Sequence, residues 1–263
     1  MSAYVVTTSR KTDAGASCEA VAWAERLGAR AVPRGGRSIP TLCREEGVDG
    51  ALVLSPGKPP TYMPGDGSAA YYYHPGMALT RLRNLEQGLG DPMVTAMALR
   101  PGDTLLDCTL GRASDALVAS FVVGPTGRVV GVESSRLLAE LTIHGLRTYE
   151  PTRRDLLPAF RRIEAYHGDH LPLLRSAAED AFEVVCFDPL FEAPVEASSS
   201  MEPFRPLADS RPLDPAAVDE ARRVARRCVV IKERPDARLW ERLQVDRLVA
   251  GKASSIAYGV IDV

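Results

Sequence analysis

Four carboxylates stand where short, mostly apolar runs end. Asp107 closes TLLD, Glu133 closes RVVGVE, Asp169 follows IEAYHG, and Asp188 follows FEVVCF. Runs of this kind predict strands, which places the acids at the carboxyl ends where open α/β sheets bind ligands. Asp107 is followed by a turn with Thr109, Gly111 and Ala113, and then by a helix that begins at Ser114. Small residues allow a ligand to approach the backbone closely, and Ser114 and Asp115 are placed to cap the helix's free N–H groups. Asp107, Thr109, Gly111, Ser114 and Asp115 are therefore candidate ligand contacts, with a plain strand-to-helix turn as the alternative. Glu133 can accept both hydroxyls of a ribose, or stand as a solvated acid. Asp169 can accept from an adenine amino group, or cap the next turn.

The acids also discriminate between cofactors. A pyrophosphate is seated by G-x-G-x-x-G on a helix N-terminus, and this turn has one glycine with an acid on each side. Acids suit a positively charged sulfonium and amino acid, so S-adenosylmethionine is favoured over a nicotinamide cofactor. No G-x-x-x-x-G-K-[ST] is present, which disfavours a phosphate-loop nucleotidase. The fourth run leads directly into Asp188-Pro189-Leu190-Phe191. This resembles the [DN]-P-P-[YF] signature of methyltransferases that act on planar amino nitrogens. The lone pair of such an amine is delocalised, so the nitrogen must be aligned. Asp188 and the Pro189 carbonyl can accept its two N–H bonds, and Phe191 can stack on the base. The alternative is an aspartate that caps the following loop.

Residues 105–239 resemble the RsmJ family, bacterial guanine-N2 methyltransferases of small-subunit rRNA. The family's D-A-T-A-G-L-G-R-D-A corresponds to the stretch from Asp107 to Ala116, its acidic pair to Glu133–Ser134, and its D-P-M-[FY]-P to Asp188–Glu192. A Met- and Phe-containing stretch, Met201–Phe204, an Asp-rich linker, Leu213–Asp214, and the strand from Arg227 to Pro235 follow in the family's order. The resemblance implies that Ser114, Asp115, Glu133, Ser134, Asp169 and Asp188 lie at the cofactor. It also implies that rRNA or the small ribosomal subunit is the partner. YYYHPGMALTRLRNLEQG and the opening VVTTSRKT look more like an uncharacterised firmicute-type branch, and Glu192 departs from the pattern.

On the substrate side, Lys232 and Arg234 follow the fifth strand, where they can hold a phosphate or lie in a solvated loop. His74 precedes the main domain, where it can touch cofactor or substrate or simply pack. Segments 211–238 and 147–162 each carry a net charge of +3, which suits a local RNA grip or two solvated helix faces. The whole chain, at 263 residues and a net charge of -2, is no basic nucleic-acid coat. Its five cysteines are scattered, and His144, His167 and His170 have no metal-ligand spacing, so no metal site is expected. There is no apolar run of membrane length and no apolar signal core, so a soluble cytoplasmic protein is expected.

These residues need a sheet to position them. Strand–helix alternation from Thr104 onward predicts a parallel, doubly wound, Rossmann-like sheet. Val245–Val249 and Ile256–Val263, joined by AGKASS, predict a closing antiparallel hairpin, as in class I methyltransferases. A smaller α/β domain is expected over 1–75 and the methyltransferase domain over 76–263. In the first, a helix is expected over Ser17–Leu27, capped by the serine and burying Val21, Ala24 and Leu27. Residues 55–68, SPGKPPTYMPGDGS, read as a Pro/Gly loop. Methyl transfer to an exocyclic guanine amine of rRNA is the leading expectation, with loop 191–213 closing over the base. The alternatives are a protein carboxylate or small-molecule acceptor, and a non-catalytic cofactor- or RNA-binding module.

Overall fold

Buried strands rich in valine and leucine organise both halves of the chain. A computed structural model describes residues 4–10, 14–191, 203–251 and 254–263. They fall into two units, one with the described residues up to His74 together with 203–207, the other with the rest.

The first unit holds β1 (Tyr4–Thr8), α1 (Ala14–Leu27), β2 (Arg30–Ala31), α2 (Ile39–Glu46), β3 (Gly50–Leu54), β4 (Thr61–Pro64) and β5 (Tyr71–Tyr72). Its five-stranded sheet has the order β2-β1-β3-β4-β5, with β1 parallel to β2 and β3 and with β3, β4 and β5 antiparallel in turn. Two expectations are corrected here. The helix expected from Ser17 begins at Ala14, so Ser17 lies inside it and is not its cap. Val21 is exposed, and the buried line is Ala20, Trp23, Ala24 and Leu27, the i, i+3, i+4, i+7 stripe of a helix packed on one side. The stretch 55–68, read as loop, contains strand β4. Tyr62 covers Gly50, where a Cβ would lie 2.3 Å from the phenol oxygen, and Pro64 ends the strand, where its missing N–H is tolerated.

The second unit holds α3 (Ala78–Glu86), α4 (Pro92–Met97), β6 (Thr104–Asp107), α5 (Ser114–Val123), β7 (Arg128–Glu133), α6 (Arg136–Thr148), α7 (Leu157–Arg161) and β8 (Ile163–His167). It continues with α8 (His170–Ser176), β9 (Phe182–Phe187), α9 (Pro215–Val224), β10 (Ala225–Glu233), α10 (Leu239–Leu243), β11 (Arg247–Ala250) and β12 (Ala257–Asp262). The sheet order is β11-β12-β10-β9-β6-β7-β8, parallel from β10 to β8 and closed by β12 antiparallel to both β10 and β11. The expected doubly wound sheet with a closing hairpin is therefore present. Helix α9 ends at Val224, and Arg226 and Arg227 already belong to β10. Short helices α4, α7, α8 and α10 have too few turns to show a periodicity in sequence.

The core of this unit joins Val185, Phe187, Val229 and Ile231 of the central strands to Val218, Ala221 and Val224 of α9. Among the described residues, no helix is long and apolar enough to cross a membrane, and no group of three or more His, Cys, Asp or Glu could hold a metal ion. All five cysteines are free.

One close approach matters for the site. Leu110, in the turn after β6, lies on the backbone of Gly131, where a Cβ would be 2.3 Å from its Cδ1. Gly131→Ala should therefore destabilise the fold by about 1–3 kcal/mol through overpacking. In thermal melts, Leu110→Ala in the same chain should recover part of that loss, and no recovery would mean that Leu110 is not the obstruction.

Candidate active site

The turn after β6 is held from several sides. Thr109 N–H donates to Asp107 Oδ1 at 3.0 Å, and Gly111 N–H to Glu133 Oε2 at 2.9 Å. Cys108 N–H donates to the Cys186 carbonyl at 2.9 Å and Leu110 N–H to the Val132 carbonyl at 3.0 Å. Thr142 Oγ1 of α6 donates to the Gly111 carbonyl at 2.7 Å. Gly111 (φ 53°) and Ala113 (φ 59°) both take left-handed backbone, which brings the chain sharply into α5.

The N-terminus of α5 is not built as expected. Ala113 is the cap residue and no side chain caps the helix. Ser114 Oγ donates to the Pro75 carbonyl at 2.9 Å. Asp115 turns to two cations, with Arg81 Nη1 on Oδ1 and Lys232 Nζ on Oδ2 at 3.1 Å. The capping role assigned to Ser114 and Asp115 is thus corrected. The cause is electrostatic: buried cations nearby are stronger partners for a carboxylate than helix N–H groups.

Lys232 belongs to the same cluster. Its Nζ also donates to Asp188 Oδ2 at 2.7 Å, and its side chain is only 16% exposed. It therefore belongs to β10 itself and points inward between two carboxylates, and does not lie in a solvated loop after the strand. Arg234 is more open and pairs with Asp236 at 3.1 Å. Arg81 was not singled out in sequence. From α3 it donates through Nε to Asp91 Oδ2 at 2.7 Å and through Nη2 to Asp91 Oδ1 at 3.0 Å, in addition to its bond to Asp115. Asp91 Oδ1 caps α4 as well, accepting from Met93 N–H at 3.0 Å and Val94 N–H at 3.2 Å. The D-P at the start of α4 was the one available signal for the cap, whereas nothing in the spacing pairs Arg81 with Asp115.

Asp107, Asp115, Asp188 and Lys232 line a narrow cleft with Tyr258 and Met97. Burial alone would raise the Asp115 carboxyl, but Lys232 and Arg81 overcome it and hold the group well below the usual carboxylate range. Burial pushes Asp107 up to about 8, with the charges of Asp115, Asp188 and Glu133 adding to the effect. Burial also raises Glu133, against the N–H groups of Ser135 and Gly111.

The remaining candidates are distributed as follows. Glu133 ends β7, and its oxygens accept from Gly111 N–H and Ser135 N–H, the latter at 2.8 Å. Ser134 Oγ donates to Asp209 Oδ2 at 2.9 Å. Asp169 caps α8 through Leu171 N–H at 2.9 Å and pairs with Arg211 at 2.8 Å, the capping alternative having been open in sequence. Asp188 N–H donates to Thr109 Oγ1 at 2.5 Å, which joins the end of β9 to the turn after β6. Pro189 and Phe191 are half-buried. His74 is exposed and closes the first unit. Glu192 and Met201, with the rest of 192–202 in the loop expected to close over a base, lie outside the described residues.

The seven-stranded sheet, with a carboxylate at the end of each inner parallel strand, has the class I methyltransferase fold, and the chain is an S-adenosylmethionine-dependent methyltransferase. The fold is similar to that of the SAM-dependent methyltransferase NGO1261 from Neisseria gonorrhoeae, with a TM-score of 0.64, a coverage of 98% of this chain and 95% of that one, and 16% identity. No protein-family model matches the sequence. It is 39% identical over 193 residues to YpiP of Bacillus subtilis, covering 73% of this chain and 75% of that protein, and it belongs to the YpiP family. It is also 29% identical over 249 residues to ribosomal RNA small subunit methyltransferase J of Pseudomonas aeruginosa, covering 92% of this chain and 89% of the relative.

The donor set fits S-adenosylmethionine. Carboxylates crowd the strand ends, and the turn beside them is cleared of bulk by Gly111 and Ala113. Each Glu133 oxygen keeps a lone pair beyond its backbone bond for a hydroxyl donor. Asp107, Thr109, Gly111, Ser114, Asp115, Glu133, Ser134, Asp169 and Asp188 are the residues that could hold it.

Two outcomes follow from the electrostatics. Arg81→Met leaves Asp91 and Asp115 short of a cation and should cost about 3–5 kcal/mol in denaturant unfolding, whereas removing an exposed pair such as Arg128–Glu164 should cost under about 1 kcal/mol. Asp107, with its folded value near 8 and an ordinary value near 3.8, binds a proton more tightly when folded. It should therefore make stability fall as pH rises from about 4 to about 8. Asp107→Asn removes that slope, so the variant should gain on the parent between pH 5 and pH 8. A constant difference between the two would show that Asp107 does not titrate in this range.

Proposed function

We propose that the enzyme methylates an exocyclic amine of guanine in the RNA of the small ribosomal subunit. Asp188 carries the reading. Lys232 occupies its Oδ2, and among the described residues Oδ1 has no hydrogen-bond donor. An acceptor held at the end of a buried strand, followed by Pro-Leu-Phe, matches what a planar amine needs. The relationship to methyltransferase J supports RNA as the acceptor class.

In this reading Asp188 Oδ1 and the Pro189 carbonyl accept the two N–H bonds of the amine. Phe191 stacks on the base, and the nitrogen lone pair is turned toward the cofactor. S-adenosylmethionine supplies a methyl group already activated on sulfur, so alignment provides most of the acceleration. Glu133 and the turn after β6 hold the nucleoside part of the cofactor. Arg234, half-buried just after β10, and His74 contact the RNA; a base in a paired region is flipped out to reach Asp188.

Asp188→Ala should lower methyl transfer by about 100-fold or more while leaving circular dichroism unchanged. Near-normal turnover would remove Asp188 from the mechanism. The acceptor is tested with radiolabelled S-adenosylmethionine and ribosomal subunits from a strain lacking the enzyme, alongside protein and metabolite fractions. Label recovered as N2-methylguanosine from rRNA is expected; label confined to protein or metabolites would refute the RNA assignment.

A further inference from the structure

We propose that Lys232 is a positioning residue that holds the Asp188 carboxylate ionised and fixed in rotation, so that Oδ1 is presented to the acceptor amine. The inference rests on the role given to Asp188 above and adds the residue that sets it. Three observations carry it. First, the ammonium bridges two carboxylates on different elements, Asp188 after β9 at 2.7 Å and Asp115 on α5 at 3.1 Å. Second, Asp115 is itself held by Arg81 on its other oxygen, so the lysine is anchored at a point that cannot swing with Asp188. Third, Lys232 lies in β10 paired in register with Tyr258 of β12, and the preceding residue, Ile231, is paired with Phe187 of β9, so its backbone is held on one side directly and on the other through its neighbour.

A carboxylate with one oxygen in a charge-assisted bond loses rotation about χ2 and keeps the second oxygen as an acceptor. A protonated Asp188 would turn a donor toward an amine that also donates, and alignment would fail. The groups that face Asp188 are Lys232 on β10, Arg81 on α3, Asp115 on α5, Asp107 on β6 and Tyr258 on β12. Asp107 and Asp115 work against ionisation, Arg81 is spent on Asp91 and Asp115, and Lys232 is the cation in direct contact. Burial raises the Asp188 carboxyl above its usual value, and the charge of Lys232 is the largest influence that limits the rise.

The test compares Lys232→Met, which keeps the length of the stem and removes the charge, with Lys232→Arg, which keeps the charge. With the acceptor that takes label from the parent enzyme, Lys232→Met should lower kcat by about 100-fold and change the KM for S-adenosylmethionine by less than about threefold. The acid limb of its pH–rate profile should move to higher pH, and Lys232→Arg should recover about tenfold. The second readout needs no acceptor: carbon-13 NMR of the Asp188 carboxyl, assigned with Asp188→Asn, should titrate at higher pH in Lys232→Met than in the parent. If no fraction takes label from the parent, the acceptor assignment fails and the NMR titration still decides the role of Lys232. An unmoved Asp188 titration, or a Lys232→Met kcat within threefold of the parent, would overturn the inference. Should Lys232→Met not fold, the Asp115→Asn/Lys232→Met double variant, freed of one unpaired acid, is compared with Asp115→Asn alone, and equal rates and titrations would overturn it.

Discussion

Charges taken out of water must find partners, and in the second unit that requirement links elements that are far apart in the chain. Asp115 is the junction. One oxygen is taken by Arg81 from α3 and the other by Lys232 from β10, while Arg81 continues to Asp91 at the start of α4 and Lys232 to Asp188 after β9. Two cations and three carboxylates are thus shared among five segments. The desolvation of each is offset only while the others stay in place. An array like this specifies geometry: the setting of α3 against α5, and the setting of Asp188 against the strand that precedes it.

The turn after β6 obeys a related constraint in backbone terms. Its polar groups cannot reach water freely, so they are satisfied by the neighbouring strand ends, by Thr142 of α6 and by the acids themselves. Glu133 therefore has two uses. It closes the turn through Gly111 and Ser135, and it retains acceptor capacity toward whatever lies above the strand ends. Leu110 on the bare backbone of Gly131 completes the seal from below.

Much of this was legible in the residues because the signals were local. Short apolar runs ending in acids marked β6, β7, β8 and β9, and the hairpin of β11 and β12 followed from a connection too short for a helix. The segment 61–64 was not legible, because its proline and tyrosine gain their meaning only from Gly50 opposite. The partners of Asp115 were hidden for the same reason: spacing along the chain placed it at a helix start, where capping is the usual use of an acid, while the cations that claim it lie 34 and 117 residues away. The inward turn of Lys232 was equally invisible, since strand alternation near a strand's end does not say which carboxylates lie across the sheet.

The register of the last strand has a bearing on how the enzyme is made. Tyr258 of β12 lies opposite Lys232, and β12 covers the flank of β10 that would otherwise be an open edge. During synthesis, β6 to β10 can pair and bury their valines before β12 has left the ribosome. Until it arrives, β10 presents unpaired N–H and C=O groups, and the lysine beside them has only one wall of its final enclosure. The nascent chain thus has a defined interval in which its sheet is largely built, its edge is sticky, and its charged cluster is not yet sealed from water.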